Sequence, residues 1–152
     1  MFLIDTNILV AEVLKEYEQD HMTLSYLAFF KKLPLMNRVI PDFILNEFET
    51  LITQVVPSRY SLTAELKQNL KNITCMFMEK LVAEHTVITP TTAIVKDAFS
   101  IYQQNVNSHY ISFTDSLVLA LARQSNFTIL SKDQRLNIRA KELHIPYYAP
   151  QQ

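Results

Sequence analysis

Acidic side chains are the part of this 152-residue sequence best placed to do chemistry. Of its six aspartates, Asp5 directly follows the apolar run Phe2-Leu3-Ile4, Asp115 opens the apolar stretch 117–122, and Asp133 comes three residues after the run 127–130. Glu47 lies among Phe43, Ile44, Phe48, Leu51, Ile52 and Val55, which recur at helical spacing, with Glu49 as a nearby competitor. Each acid has a plain explanation on its own. Asp5 can cap a helix, Asp115 can complement a helix dipole, and Asp133 can form a turn or cap. Four acids brought to one place are harder to explain that way. Like charges about 4 Å apart repel by roughly 4 kcal/mol at an effective dielectric near 20. Such a cluster calls for a cation or a proton, and an all-oxygen set suits Mg²⁺ or Mn²⁺.

Other chemistries find little support. Glycine is absent, so neither a phosphate-cradling P-loop nor a dinucleotide fingerprint exists. The single cysteine, Cys75, sits in the apolar stretch 73–78 and reads as a buried, inert thiol. One cysteine permits no disulfide within the chain and no cysteine-based zinc site. His21, His85, His109 and His144 are isolated, and no Ser/His/Asp or Cys/His pairing is visible. The expected nucleophile is therefore a water activated by the metal.

A net charge of −1 counts against a general grip on polyanions. The charge is unevenly spread, however. Asp5, Glu12, Glu16, Glu18 and Asp20 oppose only Lys15 near the start, while Arg123, Lys132, Arg135, Arg139 and Lys141 oppose Asp133 and Glu142 near the end. Solvated faces account for this pattern; the other reading makes Arg123, Lys132, Arg135 and Arg139 phosphate contacts. Met1 to Asp5 reaches an acid too soon for a signal peptide, and no apolar run approaches a membrane span. A reducing, cytoplasmic setting is the default expectation.

These side chains must be positioned by elements that the sequence marks out. Short β-branched or apolar runs at 2–4, 38–40, 86–89, 127–130 and 145–148 read as strands. Helices are predicted over 6–14, 20–33, from Pro41 to a stop at Pro57, over 61–83 with a break near Asn72, and over 91–104, 114–123 and 134–143. The alternation predicts an α/β fold with a central, mostly parallel sheet flanked by helices on both faces, in one domain over 1–152. Ligands of such sheets bind beyond the carboxyl ends of the strands, which directs attention to the loops after Ile4, Ile40, Ile88 and Leu130. The early helices carry Tyr26, Leu27, Phe29 and Phe30, more bulk than one core of this size should bury, and this predicts a homodimer.

At this point the sequence resembles a known family. Asp5-Thr6-Asn7 after a first strand resembles the opening motif of PIN domains, and residues 41–47, with Glu47 in the second helical turn, resemble their second. Phe113-Thr114-Asp115 heading a buried, alanine-rich helix resembles the third, and residues 128–133, a strand running into Ser131-Lys132-Asp133, resemble the fourth. Size and termini are similar to the VapC-type toxin ribonucleases. The resemblance implies a PIN-like fold in which Asp5, Glu47, Asp115 and Asp133 hold one or two ions. Asn7, Ser131 and Thr6 would orient the carboxylates. It also implies an RNA substrate and a cognate antitoxin. Asn126 stands where the family often has glycine, a substitution that asparagine's tolerance of left-handed backbone allows. The segment at about 58–84 reads as an added helical hairpin. Two other readings stay open. A phosphatase with an Asp5 nucleophile would want an acid at position 7, where Asn7 stands; a non-catalytic PIN-like scaffold would bind a partner instead.

Overall fold

The computed structural model describes residues 1–14, 20–104 and 110–150. Glu16, Glu18, Lys15 and His109, named above for charge or chemistry, lie outside the described residues. Among the described residues, four short strands form one parallel sheet: β1 (Phe2–Ile4), β2 (Arg38–Pro41), β3 (Thr86–Ile88) and β4 (Thr128–Leu130). The strand order is β3-β2-β1-β4. Phe2, Leu3 and Ile4 stand opposite Thr128, Ile129 and Leu130 on one side; Phe2 and Leu3 stand opposite Arg38 and Val39 on the other. The chain therefore lays strands outward from β1 in one direction, then returns to add β4 on the opposite side. The strand order reverses between β1 and β4, and a crevice opens beyond the carboxyl ends at such a reversal.

Helices flank the sheet. They are α1 (Thr6–Val13), α2 (His21–Lys32), α3 (Asp42–Thr50), α4 (Val56–Arg59), α5 (Ala64–Glu84), α6 (Thr92–Gln103), α7 (Phe113–Ser125) and α8 (Gln134–Glu142). Strand residues Leu3, Ile4, Val39, Ile40, Ile129 and Leu130 are fully buried, as parallel strands covered by helices must be. The predicted buried helix is α7, where Val118, Leu119, Ala120, Leu121 and Ala122 all lie inside. It ends at Asn126, whose φ of 53° supplies the left-handed cap that glycine often provides.

Several elements differ from the sequence reading, each for an identifiable reason. Pro57 does not stop the helix that begins after Pro41. A π-helical turn over Leu51–Val55 widens the spiral, and Pro57 then sits in the first turn of α4, where a missing N–H costs nothing. Helix α5 runs unbroken past Asn72, whose carboxamide oxygen accepts a 3.0 Å bond from Gln68 one turn earlier and so does not compete for the backbone. Residues 145–148 form no full strand. Pro146 has no N–H to give, and pairing with β4 shrinks to a single parallel bridge between Ile129 and Tyr147. Cys75 is exposed, because Leu70, Thr74, Phe77 and Leu81 carry the inward face of α5. Finally, the aromatic bulk of α2 is absorbed within one molecule. Tyr26, Leu27 and Phe30 are buried, and Phe29 stacks on Tyr148 with centroids 3.8 Å apart. The predicted homodimer loses that ground.

Candidate active site

Asp5 leaves β1 at the strand reversal. Its backbone N–H donates to Leu130 of β4 at 3.1 Å, so the residue is fixed to both strands that border the crevice. It also caps α1, accepting from the Thr6 N–H at 2.8 Å on Oδ1. Oδ2 accepts from Asn7 Nδ2 at 2.6 Å and from the Ser131 hydroxyl at 2.5 Å. The capping explanation and the functional one are thus both true of Asp5, since a cap spends one oxygen only.

Ser131 is the hub. Fully buried just after β4, it donates to Asp5 and accepts from Asn7 Nδ2 at 2.9 Å and from the Asp133 N–H at 3.0 Å. Asn7 closes the loop through its carbonyl oxygen, which accepts the Lys132 N–H at 3.0 Å. Asp133 caps α8, with Oδ1 taking the N–H groups of Arg135 and Leu136 at 2.7 and 3.2 Å. Glu47 reaches the same edge from α3 and accepts a short hydrogen bond from the Thr6 hydroxyl. Its competitor Glu49 is engaged elsewhere, with Thr53 at 3.1 Å. Asp115 opens α7 in a reciprocal cap with Ser112. Oδ2 accepts the Ser112 N–H at 2.7 Å and its hydroxyl at 2.8 Å, while Ser112 Oγ accepts the Asp115 N–H at 3.0 Å.

The electrostatics connect all four acids. Burial pushes Asp5 up to about 7, opposed by the Ser131 and Thr6 hydrogen bonds and reinforced by the negative charges of Asp115 and Glu47. Asp115 is also raised, chiefly by burial, with Asp133 adding to the shift and the Ser112 bonds opposing it. The acids feel one another across one crevice. Among the described residues, however, no three acidic, histidine or cysteine side chains stand close enough to hold an ion between them directly.

Two positions escaped the sequence reading. Ser112 was legible, because Ser-x-x-Asp before an apolar helix is a capping-box signature. Asn137 had no local signal. It is buried on α8, and its Nδ2 donates to the Ser131 carbonyl at 2.9 Å, pinning the turn that carries the hub. The basic residues fare unevenly as candidates for phosphate contact. Arg123 pairs with Asp97 of α6 from the last turn of α7, about 12 Å along the helix from Asp115 at 1.5 Å per residue. Arg139 pairs with Glu142 at 2.8 Å. Lys132 Nζ donates to Thr23 at 3.3 Å. Arg135 has a side chain 65% exposed, 3.8 Å from Asp133, and remains at the acidic edge.

A parallel α/β sheet with a buried carboxylate at its strand reversal defines a class of fold that comparison makes specific. The PIN domain family model matches residues 2–142, and the chain belongs to that family. Solved structures share the fold across nearly its full length. The FitAB complex bound to an IR36 DNA fragment contains a chain at TM-score 0.71 and 16% identity, covering 99% of this chain and 95% of that one. VapC20 of Mycobacterium tuberculosis, described as a Sarcin-Ricin loop cleaving toxin, aligns at TM-score 0.65 and 15% identity over 91% of this chain and 94% of its own. A toxin-antitoxin complex from Klebsiella pneumoniae aligns at TM-score 0.59 and 17% identity, covering 100% and 99%. A search of curated protein sequences found no match.

Proposed function

We propose that this chain is a metal-dependent endoribonuclease acting as the toxin of a toxin–antitoxin pair. The reading rests on Asp5, buried at the strand reversal and pushed up to about 7 with the charges of Asp115 and Glu47 bearing on it, and on Asp115, itself raised with Asp133 bearing on it. A buried carboxylate among other carboxylates is costly to fold unless something positive joins it. The donor set suits Mg²⁺ or Mn²⁺, being entirely oxygen. A carboxylate offers about four lone-pair directions, and Thr6, Asn7 and Ser131 take three of those on Asp5, which leaves one on Oδ1. Mg²⁺ ordinarily keeps several waters and binds one or two carboxylates directly. Acids too far apart to share one ion fit that habit, with the more distant ones reaching it through water.

Asp5 and Asp115 are the direct ligands in this proposal, and Glu47 and Asp133 complete the negative ring. When bound, the ion supplies a water of lowered pKa and positive charge against the scissile phosphate. The protein's own part is orientation. Ser131 and Asn7 hold Oδ2 of Asp5, Ser112 holds Oδ2 of Asp115, and Thr6 holds Glu47. Such supports are worth roughly 10- to 100-fold in metal affinity or activity. The same contacts weaken the phosphatase reading, because an Asp5 that accepts three hydrogen bonds is poorly placed to attack. RNA as the substrate and an antitoxin as the partner are supported by the folds described as a Sarcin-Ricin loop cleaving toxin and a toxin-antitoxin complex.

A non-catalytic, partner-binding reading draws on the exposed apolar groove where Leu66 and Ile73 of α5 face Val13, Leu14 and Val56. Calorimetric titration with Mn²⁺ separates the two. The nuclease reading expects saturable binding that weakens at least about tenfold in Asp115→Asn; a scaffold expects no binding by either protein.

A further inference from the structure

Four aromatic rings form a cluster at the end of the molecule that carries the acids. Phe99 and Tyr102 come from the last turns of α6, Phe113 from the first position of α7, and Tyr110 from the chain just before it. Phe113 packs on the core and anchors the group. Phe99 lies 4.7 Å from it, centroid to centroid, and Tyr102 meets it edge-on at 5.9 Å. Tyr110 in turn meets Tyr102 edge-on at 6.5 Å, with their hydroxyls 3.3 Å apart. Single exposed apolar residues are ordinary, but here Phe99 is 52% exposed and Tyr110 66% exposed within one contiguous aromatic face.

The position of this face matters more than its exposure. The Ser112 N–H lies 2.7 Å from the Asp115 carboxylate, and two residues of chain reach at most about 7 Å, so the Tyr110 backbone is held close beside that acid. A strand with its phosphate at the acids must run past these rings or away from them. Charge offers such a strand a limited hold: the chain is net −1, Arg123 and Arg139 are ion-paired, and Arg135 is the exposed cation at the acidic edge. Affinity that phosphate contacts do not supply can come from stacking, because every base has a π-face and aromatic side chains recognise single strands through it.

We infer that the Phe99–Tyr110 face is a stacking platform for an unpaired base of the RNA strand beside the scissile phosphate. The inference rests on the nuclease reading and deepens it, committing the site to single-stranded or looped RNA rather than a continuous duplex. A second copy of the chain on the same face is the competing occupant.

The test uses fluorescence anisotropy in Ca²⁺ with a labelled oligoadenylate and an abasic oligonucleotide of the same length and charge. The parent should prefer the base-bearing strand by roughly tenfold. Phe99→Ala with Tyr110→Ala should abolish that preference without changing the salt dependence, since no phosphate contact is lost. Tyr110→Phe, which keeps the ring, should retain it. Thermal melts confirm that the variants fold. Equal affinity of the parent for both strands overturns the proposal, as does a preference that survives in the double variant. Light scattering that shows a dimeric parent and a monomeric double variant assigns the face to a second copy and overturns it too. Mn²⁺ calorimetry keeps the failures apart: a parent that binds Mn²⁺ but discriminates no base loses the platform and keeps the metal site.

Discussion

Ser131 links three separate parts of the site through one hydroxyl. It joins a strand-end acid, the side chain of Asn7 and the backbone of the next acid, at 2.5 to 3.0 Å. Ser131→Ala removes the donor to the buried Asp5 and leaves the part-buried Asp133 N–H without its acceptor. Unsatisfied buried groups of this kind cost about 1–3 kcal/mol. The expected result is a melting temperature lowered by several degrees and Mn²⁺ affinity reduced roughly 10- to 100-fold, read by calorimetry. Asp5 itself makes a prediction in pH. Its folded value of about 7 lies above the ordinary 3.8, so the folded chain binds more protons than the unfolded chain between those values. This contribution to stability is fully present below about 4 and lost as pH rises through about 7. The ion-free protein should therefore lose stability from this group between about pH 4 and pH 7, and Asp5→Asn should flatten that dependence. The ion must displace the same proton, so Mn²⁺ affinity should fall about tenfold per unit as pH drops below about 7. A pH-independent affinity across that range would contradict the assignment of Asp5 as a ligand.

Strands and helices explain which parts of this arrangement the sequence revealed. Asp5, Asp115 and Asp133 were legible because each sits at the boundary of an apolar element, and boundaries are where local pattern is strongest. Glu47 was set apart from Glu49 in the sequence by the resemblance of residues 41–47 to a family motif alone; the rotation of α3 gives the physical difference, turning the first toward Thr6 and the second toward Thr53. Asn137 was invisible, because its partner lies six residues back across a turn and its burial comes from tertiary packing. The π-helical turn before Pro57 escaped for a related reason, since a proline reads as a stop unless the preceding spiral is known to widen. Apolar periodicity along α5 was real but covered more residues than the core uses. Leu81 is 3% exposed, whereas Ile73, eight residues earlier, is 52% exposed. Leu81→Ala should cost about 2–5 kcal/mol in urea unfolding. Ile73→Ala should stay within about 0.5 kcal/mol. Equal losses from both would mean that α5 packs differently.

At the scale of the whole molecule, the strand order β3-β2-β1-β4 creates the site. Sequence-distant acids come to one end of the sheet because β4 returns to the far side of β1, and α7, which leads into β4, opens with Asp115 at that end. No helix among the described residues is long and apolar enough to cross a membrane. Two exposed apolar areas are the groove beside α5 and the aromatic face beside Asp115. The first is available to a protein partner, and the second is the proposed stacking platform beside Asp115. The central claim is that the acids at the strand reversal hold the ion that cuts RNA. The most direct measurement compares cleavage of a single-stranded RNA by the parent and by Asp115→Asn, with Mn²⁺ and with chelator. The account expects cleavage by the parent only when the ion is present, and a folded Asp115→Asn slower by at least about 100-fold. Cleavage by Asp115→Asn at the parent's rate, or undiminished cleavage by the parent in chelator, would contradict it.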